Sequence, residues 1–349
     1  MTVVFVMAAV LWGTGMAMGT PKRARWTMIG VLVAAVVVIQ LALPDGHPLR
    51  EATGSDVRLW ALLLGLGVVI AGYRQVLGAA RRKARGTVPE AVNAGGFITT
   101  ELDRYARHII LREVGGVGQK ALRDAKVLVV GAGGLGSPAL QYLAAAGVGT
   151  IGVIDDDVVG NANLQRQVIH SDDRIGDPKV QSAADAMTAL NPFITVRPYM
   201  RRLTKADAAG IIKDYDLVLD GTDNFATRYL VNATCAALGK PLIAAALTQW
   251  EGQIGLYDPA SGAPCFACVF PDAPDPDLVP SCAEAGVIGP LPGVVGSMMA
   301  LEAVKEITGA GEGLRGRLLI YDGLYAQTRV IGAKKRADCA VCGGEKMSI

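Results

Sequence analysis

Charge is missing from long stretches near the start of this chain. Met1 to Pro21, Trp26 to Leu43 and Leu59 to Tyr73 contain no Asp, Glu, Lys or Arg. A basic start is missing too: Met1-Thr2-Val3-Val4 argues against a cleaved secretory signal. Cysteine is scarce, six in 349 residues, and none precedes Cys235. Such late thiols, on a portion expected in a reducing compartment, argue against a disulfide framework and for metal binding or thiol chemistry. No internal repeat is visible. The net charge of +2 identifies no partner, and no nucleic acid is expected.

What is there is uneven. Hydrophobic residues make up 51% and mean hydropathy is +0.34, both high for a wholly soluble enzyme. The excess sits in residues 1–80, which read as a membrane region of two to three transmembrane helices, since a span needs about 20 apolar residues. Trp26 to Leu43 meets that well. Gly13, Gly15 and Gly19 loosen the first segment, and the third is short. Lys22, Arg23 and Arg25 follow the first segment, and Arg74, Arg81, Arg82, Lys83 and Arg85 follow the third. The positive-inside rule keeps both clusters cytoplasmic. The expectation is a multi-pass protein of the inner (cytoplasmic) membrane, with its catalytic part in the cytoplasm. Residues 81–100 read as a basic, then polar, linker.

From residue 101 to 349 short apolar strands alternate with helices. Strands are expected at Val127–Val130, Ile151–Ile154, Thr195–Tyr199, Leu217–Leu219 and Leu242–Ala245. Helices are expected at Leu102–Leu111, Ser137–Ala146, Lys179–Leu190 and Phe225–Leu238. The fold class is α/β: a Rossmann-like, mainly parallel sheet with helices on both faces. After Gln253, strands at Ile254–Tyr257 and Leu318–Tyr321 flank a helix near Val294–Ile307, a half that reads as partly antiparallel.

Gly131-Ala132-Gly133-Gly134-Leu135-Gly136 follows a strand and opens a helix. Gly131, Gly133, Gly134 and Gly136 let backbone approach a phosphate at a helix N-terminus. Alone, this satisfies a dinucleotide fingerprint, with Asp155 or Asp156 placed for a ribose, and the first reading is an NAD-linked oxidoreductase. Downstream residues shift the balance. Asn163, Leu164, Gln165 and Arg166 form a polar block, and Lys179 begins a Pro178-primed helix. A triphosphate attacked at its α-phosphorus needs such cations, Arg166 as a forked donor and Lys179 as a point charge. Asp223 and Asn224 follow the strand Leu217–Leu219. A carboxylate there can hold Mg²⁺, or either residue can cap the next helix.

Cys265-x-x-Cys268 and Cys339-x-x-Cys342 supply four thiolates, the donor set of a closed structural zinc site. Cys282 is left over. It reads either as a nucleophile for a thioester or acyl persulfide, or as a small loop residue.

Together these blocks resemble the ubiquitin-activating-enzyme-like adenylyltransferases of sulfur transfer, the HesA/MoeB/ThiF superfamily, with MoeB-type molybdopterin-synthase adenylyltransferases nearest. Arg104-Tyr105-Ala106-Arg107, Gly176-Asp177-Pro178-Lys179, Thr222-Asp223-Asn224 and Cys282-Ala283-Glu284-Ala285-Gly286 carry it alongside the motifs above. The resemblance implies ATP and Mg²⁺, with adenylation of the C-terminal glycine of a small ubiquitin-like sulfur carrier ending in Gly-Gly. The carrier would be the small subunit of molybdopterin synthase, or alternatively the thiamine-pathway carrier. It also implies that Gly134 meets the phosphates and Asp155 the ribose, that Asn163, Arg166 and Lys179 hold the triphosphate, and that Asp223 holds magnesium. Arg107 would reach into the site of the other subunit of a homodimer. Two departures are Asp156, where an apolar residue is expected, and Ala162, where a small hydroxyl is expected. No sulfurtransferase domain follows Cys342, so sulfur is expected from a separate sulfurtransferase.

Overall fold

The computed structural model describes residues 2–54, 96–273 and 285–344, with scattered positions between 58 and 76. The chain divides into two compact units, Met1–Pro89 and Glu90–Ile349.

In the first unit, α1 (Thr2–Ala17) and α2 (Lys22–Ala42) form a helical hairpin. Trp12 and Trp26 meet edge-on near the turn, ring centroids 5.1 Å apart. Val4 and Val36 are buried together at the far end, which makes the helices antiparallel. Ala24–Ala42 is 19 residues long with mean hydropathy 1.9 and is the helix long and apolar enough to cross a bilayer among the described residues. At 1.5 Å per residue it extends about 28 Å, close to a hydrocarbon core. The 16-residue α1 is shorter, and the span expected at residues 59–73 lies largely outside the described residues.

The second unit is built on one eight-stranded sheet, ordered β3-β2-β1-β4-β5-β6-β7-β8. The strands are β1 (Lys126–Val130), β2 (Thr150–Ile154), β3 (Thr195–Tyr199), β4 (Leu217–Asp220), β5 (Leu242–Leu247), β6 (Glu251–Tyr257), β7 (Arg317–Asp322) and β8 (Gln327–Gly332). The first five run parallel, and β5 through β8 pair antiparallel. Continuous apolar runs form the central strands because both faces are covered. Val127 and Val129 enter one core with Leu140, Met187 and Met299. Leu128 and Val130 enter the other with Ile212, Val231 and Phe266. Pro198 sits in β3, at the sheet edge, where a missing N–H costs no ladder bond.

Sequence and structure differ in the second half. β6 begins at Glu251, and β8 was not expected at all; its residues are exposed, so no buried alternation marks it. The helix expected near Val294–Ile307 spans Pro290–Thr308, its start moved forward by prolines tolerated in a first turn. The chain order reverses around β1, whose neighbours are β2 on one side and β4 on the other. In open α/β sheets that switch point is where ligands bind, at the carboxyl ends of the strands.

Candidate active site

A cavity of about 1100 Å³ opens at that switch point. Gly131, Gly133, Gly134, Asp155, Arg166, Lys179, Asp223 and Asn224 line it. Residues far apart in sequence are gathered because β1, β2 and β4 all end there.

The glycine loop turns off β1 with Gly131 at φ +93°, a left-handed conformation that disfavours side chains. A Cβ on Gly133 would meet only Gln167 Nε2, at 3.7 Å, so its backbone stands open to an approaching group. Gly136 does not line the cavity. A Cβ there would strike the Gly131 carbonyl, so this glycine serves the tight packing of the turn. The helix Gly136–Ala146 has no side-chain cap, leaving N–H donors and a partial positive charge at its start.

Asp155 is tied into the loop: Oδ2 accepts the Ala132 N–H at 2.8 Å and Oδ1 the Asp157 N–H at 2.9 Å. Lys179 is buried and its Nζ donates to Asp157 Oδ2 at 2.8 Å. Asp155, Asp156 and Asp157 approach one another closely enough to share a cation. Each is already engaged, Asp156 with Arg202 at 3.2 Å. Asn163, Leu164 and Gln165 do not line the cavity. Asn163 Oδ1 accepts the Gly160 N–H at 3.2 Å and shapes the bend that brings Arg166 forward. Asn224 caps the helix Phe225–Leu238, accepting the Thr227 N–H at 2.9 Å, while the exposed Asp223 faces the cavity. One carboxylate in the same cavity as the open glycine loop is a donor set that Mg²⁺ could use, since that ion takes one or two carboxylates and fills its shell with other oxygen ligands. Arg107 is exposed and does not line this chain's cavity. Cys282 lies outside the described residues.

Gln167, which ends the polar block begun at Asn163, lines the cavity together with Asp157 and Arg228, two residues not singled out from sequence, and His170 supports the loop from behind. Gln167 is 4% exposed, and its Oε1 has no partner. Arg228 is buried and donates to the Thr222 and Ala245 carbonyls. Asp157 pairs with Lys179 as above. His170 contacts the Ala132 carbonyl and Ser182 from behind the loop. Burial lowers the His170 pKa below the ordinary imidazole value, against the pull of the Ala132 carbonyl; Lys179 lowers it further and Asp155 opposes. Arg228 carried a signal in the sequence, as the one charged side chain of the helix Phe225–Leu238.

Apart from the cavity, Cys265, Cys268, Cys339 and Cys342 converge. Sulfur–sulfur distances are 3.8 Å (Cys265–Cys268), 3.6 Å (Cys265–Cys339) and 3.3 Å (Cys268–Cys342). Tetrahedral zinc with bonds of about 2.3 Å sets its sulfurs about 3.8 Å apart, so the cluster fits. The Arg336 N–H points at Cys268 Sγ from 3.5 Å, a second-layer donor of the kind that steadies thiolates. Burial resists ionisation of Cys339, but the backbone N–H groups of Cys342 and Val341 bring its thiol down to about 7.

A family model described as "ThiF family" matches residues 105–341. A sulfur carrier protein adenylyltransferase of Thermus thermophilus is 50% identical over 249 residues, covering 70% of this chain and 92% of its own length. A SAMP-activating enzyme E1 of Haloferax volcanii is 49% identical over 244 residues, covering 70% of this chain and 90% of its own length. The crystal structure of E. coli MccB with ATP superposes with a TM-score of 0.61 at 24% identity, covering 69% of this chain and 75% of that one; the likeness is one of fold.

Proposed function

The chain belongs to the ThiF family, and on that premise we propose that it is an ATP-dependent adenylyltransferase. Its substrate is the C-terminal carboxylate of a small ubiquitin-like sulfur carrier. One observation carries the reading: a single cavity gathers an open glycine loop, several cations that include Arg166 and Lys179, and the exposed carboxylate of Asp223. A dinucleotide cofactor needs little cationic help beyond the loop. Charge on Arg166 and Lys179 serves a triphosphate that must lose pyrophosphate. The oxidoreductase reading is set aside on that ground and on family membership.

In the proposed reaction a carrier carboxylate oxygen attacks the α-phosphorus. The bond from that phosphorus to the bridging oxygen breaks, and pyrophosphate leaves with its electron pair. Gly133 and Gly134 give the phosphates backbone N–H donors, and Asp155 turns its carboxylate edge to the ribose. Lys179 and Arg166 neutralise charge as the leaving group departs. Asp223 would hold magnesium, which would supply further charge neutralisation. Cys265, Cys268, Cys339 and Cys342 would hold zinc, which would join the loop after β6 to the C-terminal tail. We assign Cys282 to later sulfur transfer, so Cys282→Ala should retain adenylation; loss of pyrophosphate exchange in that variant refutes the assignment.

Arg107 fits a donor acting across a homodimer, since it is exposed and followed by exposed Ile110 and Leu111. The apolar helix Ala24–Ala42 supports membrane attachment, with a multi-pass arrangement completed by the segment at 59–73. Molybdopterin synthase is the carrier system we favour, with the thiamine-pathway carrier second. The test is carrier-dependent exchange of labelled pyrophosphate into ATP across a panel of carriers ending in Gly-Gly. Exchange with none of them, or nicotinamide reduction without ATP, would sink the proposal.

A further inference from the structure

His170 does not line the cavity, yet both its ring nitrogens are committed. Nε2 lies 3.0 Å from the Ala132 carbonyl oxygen and Nδ1 lies 2.9 Å from Ser182 Oγ. A carbonyl only accepts, so Nε2 carries the proton and Nδ1 of the neutral ring accepts from the serine hydroxyl. Histidine and serine are both buried, at 7% and 3% exposure, so neither bond is exchanged for water.

The consequence lies in the next peptide unit. The Ala132 carbonyl and the Gly133 N–H belong to one planar trans peptide and point in opposite directions. Holding the carbonyl inward on His170, the nearer of its two side-chain donors (Ser137 Oγ lies at 3.4 Å), therefore turns the Gly133 N–H outward, and Gly133 is the loop residue whose surroundings are open. The Ala132 N–H is fixed independently by Asp155 Oδ2 at 2.8 Å. At its other nitrogen His170 meets Ser182, one helical turn beyond Lys179. The ring thus bridges the loop that offers N–H donors and the helix that offers the ammonium. Lys179 and Asp155 are the charged groups acting on the ring, and their influences oppose.

We propose that His170 is a positioning residue for the triphosphate: it orients the Gly133 N–H through the Ala132 carbonyl and keeps the glycine loop in register with Lys179 through Ser182. This rests on the adenylation reading for its purpose, but the geometry it describes exists without nucleotide.

Two measurements on the whole chain test it: carrier-dependent pyrophosphate exchange, and hydrogen exchange of the Gly131–Gly136 amides without nucleotide. His170→Ala should raise KM for ATP about tenfold, on the scale of one oriented hydrogen bond. KM for the carrier should stay unchanged, a selectivity that general destabilisation does not produce. Loop amides should exchange faster in the same variant. His170→Gln, whose amide N–H reaches the same carbonyl, should restore both. A folded His170→Ala with wild-type KM for ATP and wild-type amide exchange overturns the proposal, as does a Gln variant no better than Ala. Where His170→Ala does not fold, Ser182→Ala read by the same pair of measurements decides. Faster loop amides in a chain inactive with every carrier would uphold the positioning role and sink the adenylation reading alone.

Discussion

Lys179 and Asp157 form an ion pair of 2.8 Å in which the lysine side chain is 7% exposed and the carboxylate 65% exposed. The pair is lopsided. A sunken ammonium needs an anion, whereas the carboxylate can swing into water when a triphosphate arrives. Lys179→Met should therefore lower exchange by about 100-fold or more, as expected for a removed charge stabiliser. Asp157→Asn should act oppositely on the two states. The nucleotide-free protein should lose on the order of 1 kcal/mol, modest because the lost partner faces solvent. Mg-ATP should then raise Tm more than in wild type. Equal shifts in paired melts would count against Asp157 as a stand-in for phosphate.

Asp223 and Asn224 are neighbours with separable duties. Asn224 accepts the Thr227 N–H, so Asn224→Ala should cost about 1 kcal/mol of stability, the usual worth of an N-cap. Asp223→Ala should abolish adenylate formation while melting as wild type. Wild-type pyrophosphate exchange in the Asp223 variant would remove it from the site.

Metal removal tests the cysteine cluster. Cys339→Ser should lose bound zinc by elemental analysis. Amide exchange in residues 333–344 should rise, because four-thiolate zinc contributes roughly 10 kcal/mol in small sites. Zinc content unchanged in that variant would show that the sulfurs converge without coordinating.

His170 also sets a pH dependence. Its folded pKa lies below the usual imidazole value, so on acidification the unfolded chain takes up the proton first. The stability it contributes is complete above about pH 6.5 and declines as pH falls from there toward the folded value. His170→Gln should flatten the stability profile across that window in denaturant titrations. Identical profiles would mean the ring does not titrate differently on folding.

Most of the parallel half was legible in the sequence because its signals are physical and local. Lys179–Leu190, Thr195–Tyr199 and Phe225–Leu238 coincide with the expected boundaries, each set by proline, by a short β-rich run or by an Asn cap. The convergence of the cysteine knuckles was legible because paired C-x-x-C spacing is a local pattern that suits four-thiolate ligation. What escaped depends on three dimensions. The exposed β8 lacks a buried face to imprint alternation. His170 looks inward at a backbone carbonyl, a partner that leaves no mark in side-chain pattern, and the lone charge of Arg228 in its helix does not say which carbonyls it meets. Gly136 belongs to the fingerprint by spacing, yet it serves packing, because two roles share one glycine signature. Asn163 likewise holds its own bend.

At β5 the sheet changes from parallel to antiparallel. The reversal folds the Thr248–Trp250 turn back to the rim where β1, β2 and β4 also end, so Leu247, Thr248 and Glu251 become an opposite wall of the cavity. Nucleotide recognition and the far wall thus come from separate stretches of chain that meet only in space. A substitution at Thr248 or Glu251 can therefore reshape that wall without altering the glycine loop, Arg166 or Lys179, a division of labour that lets one half of the pocket vary piecewise.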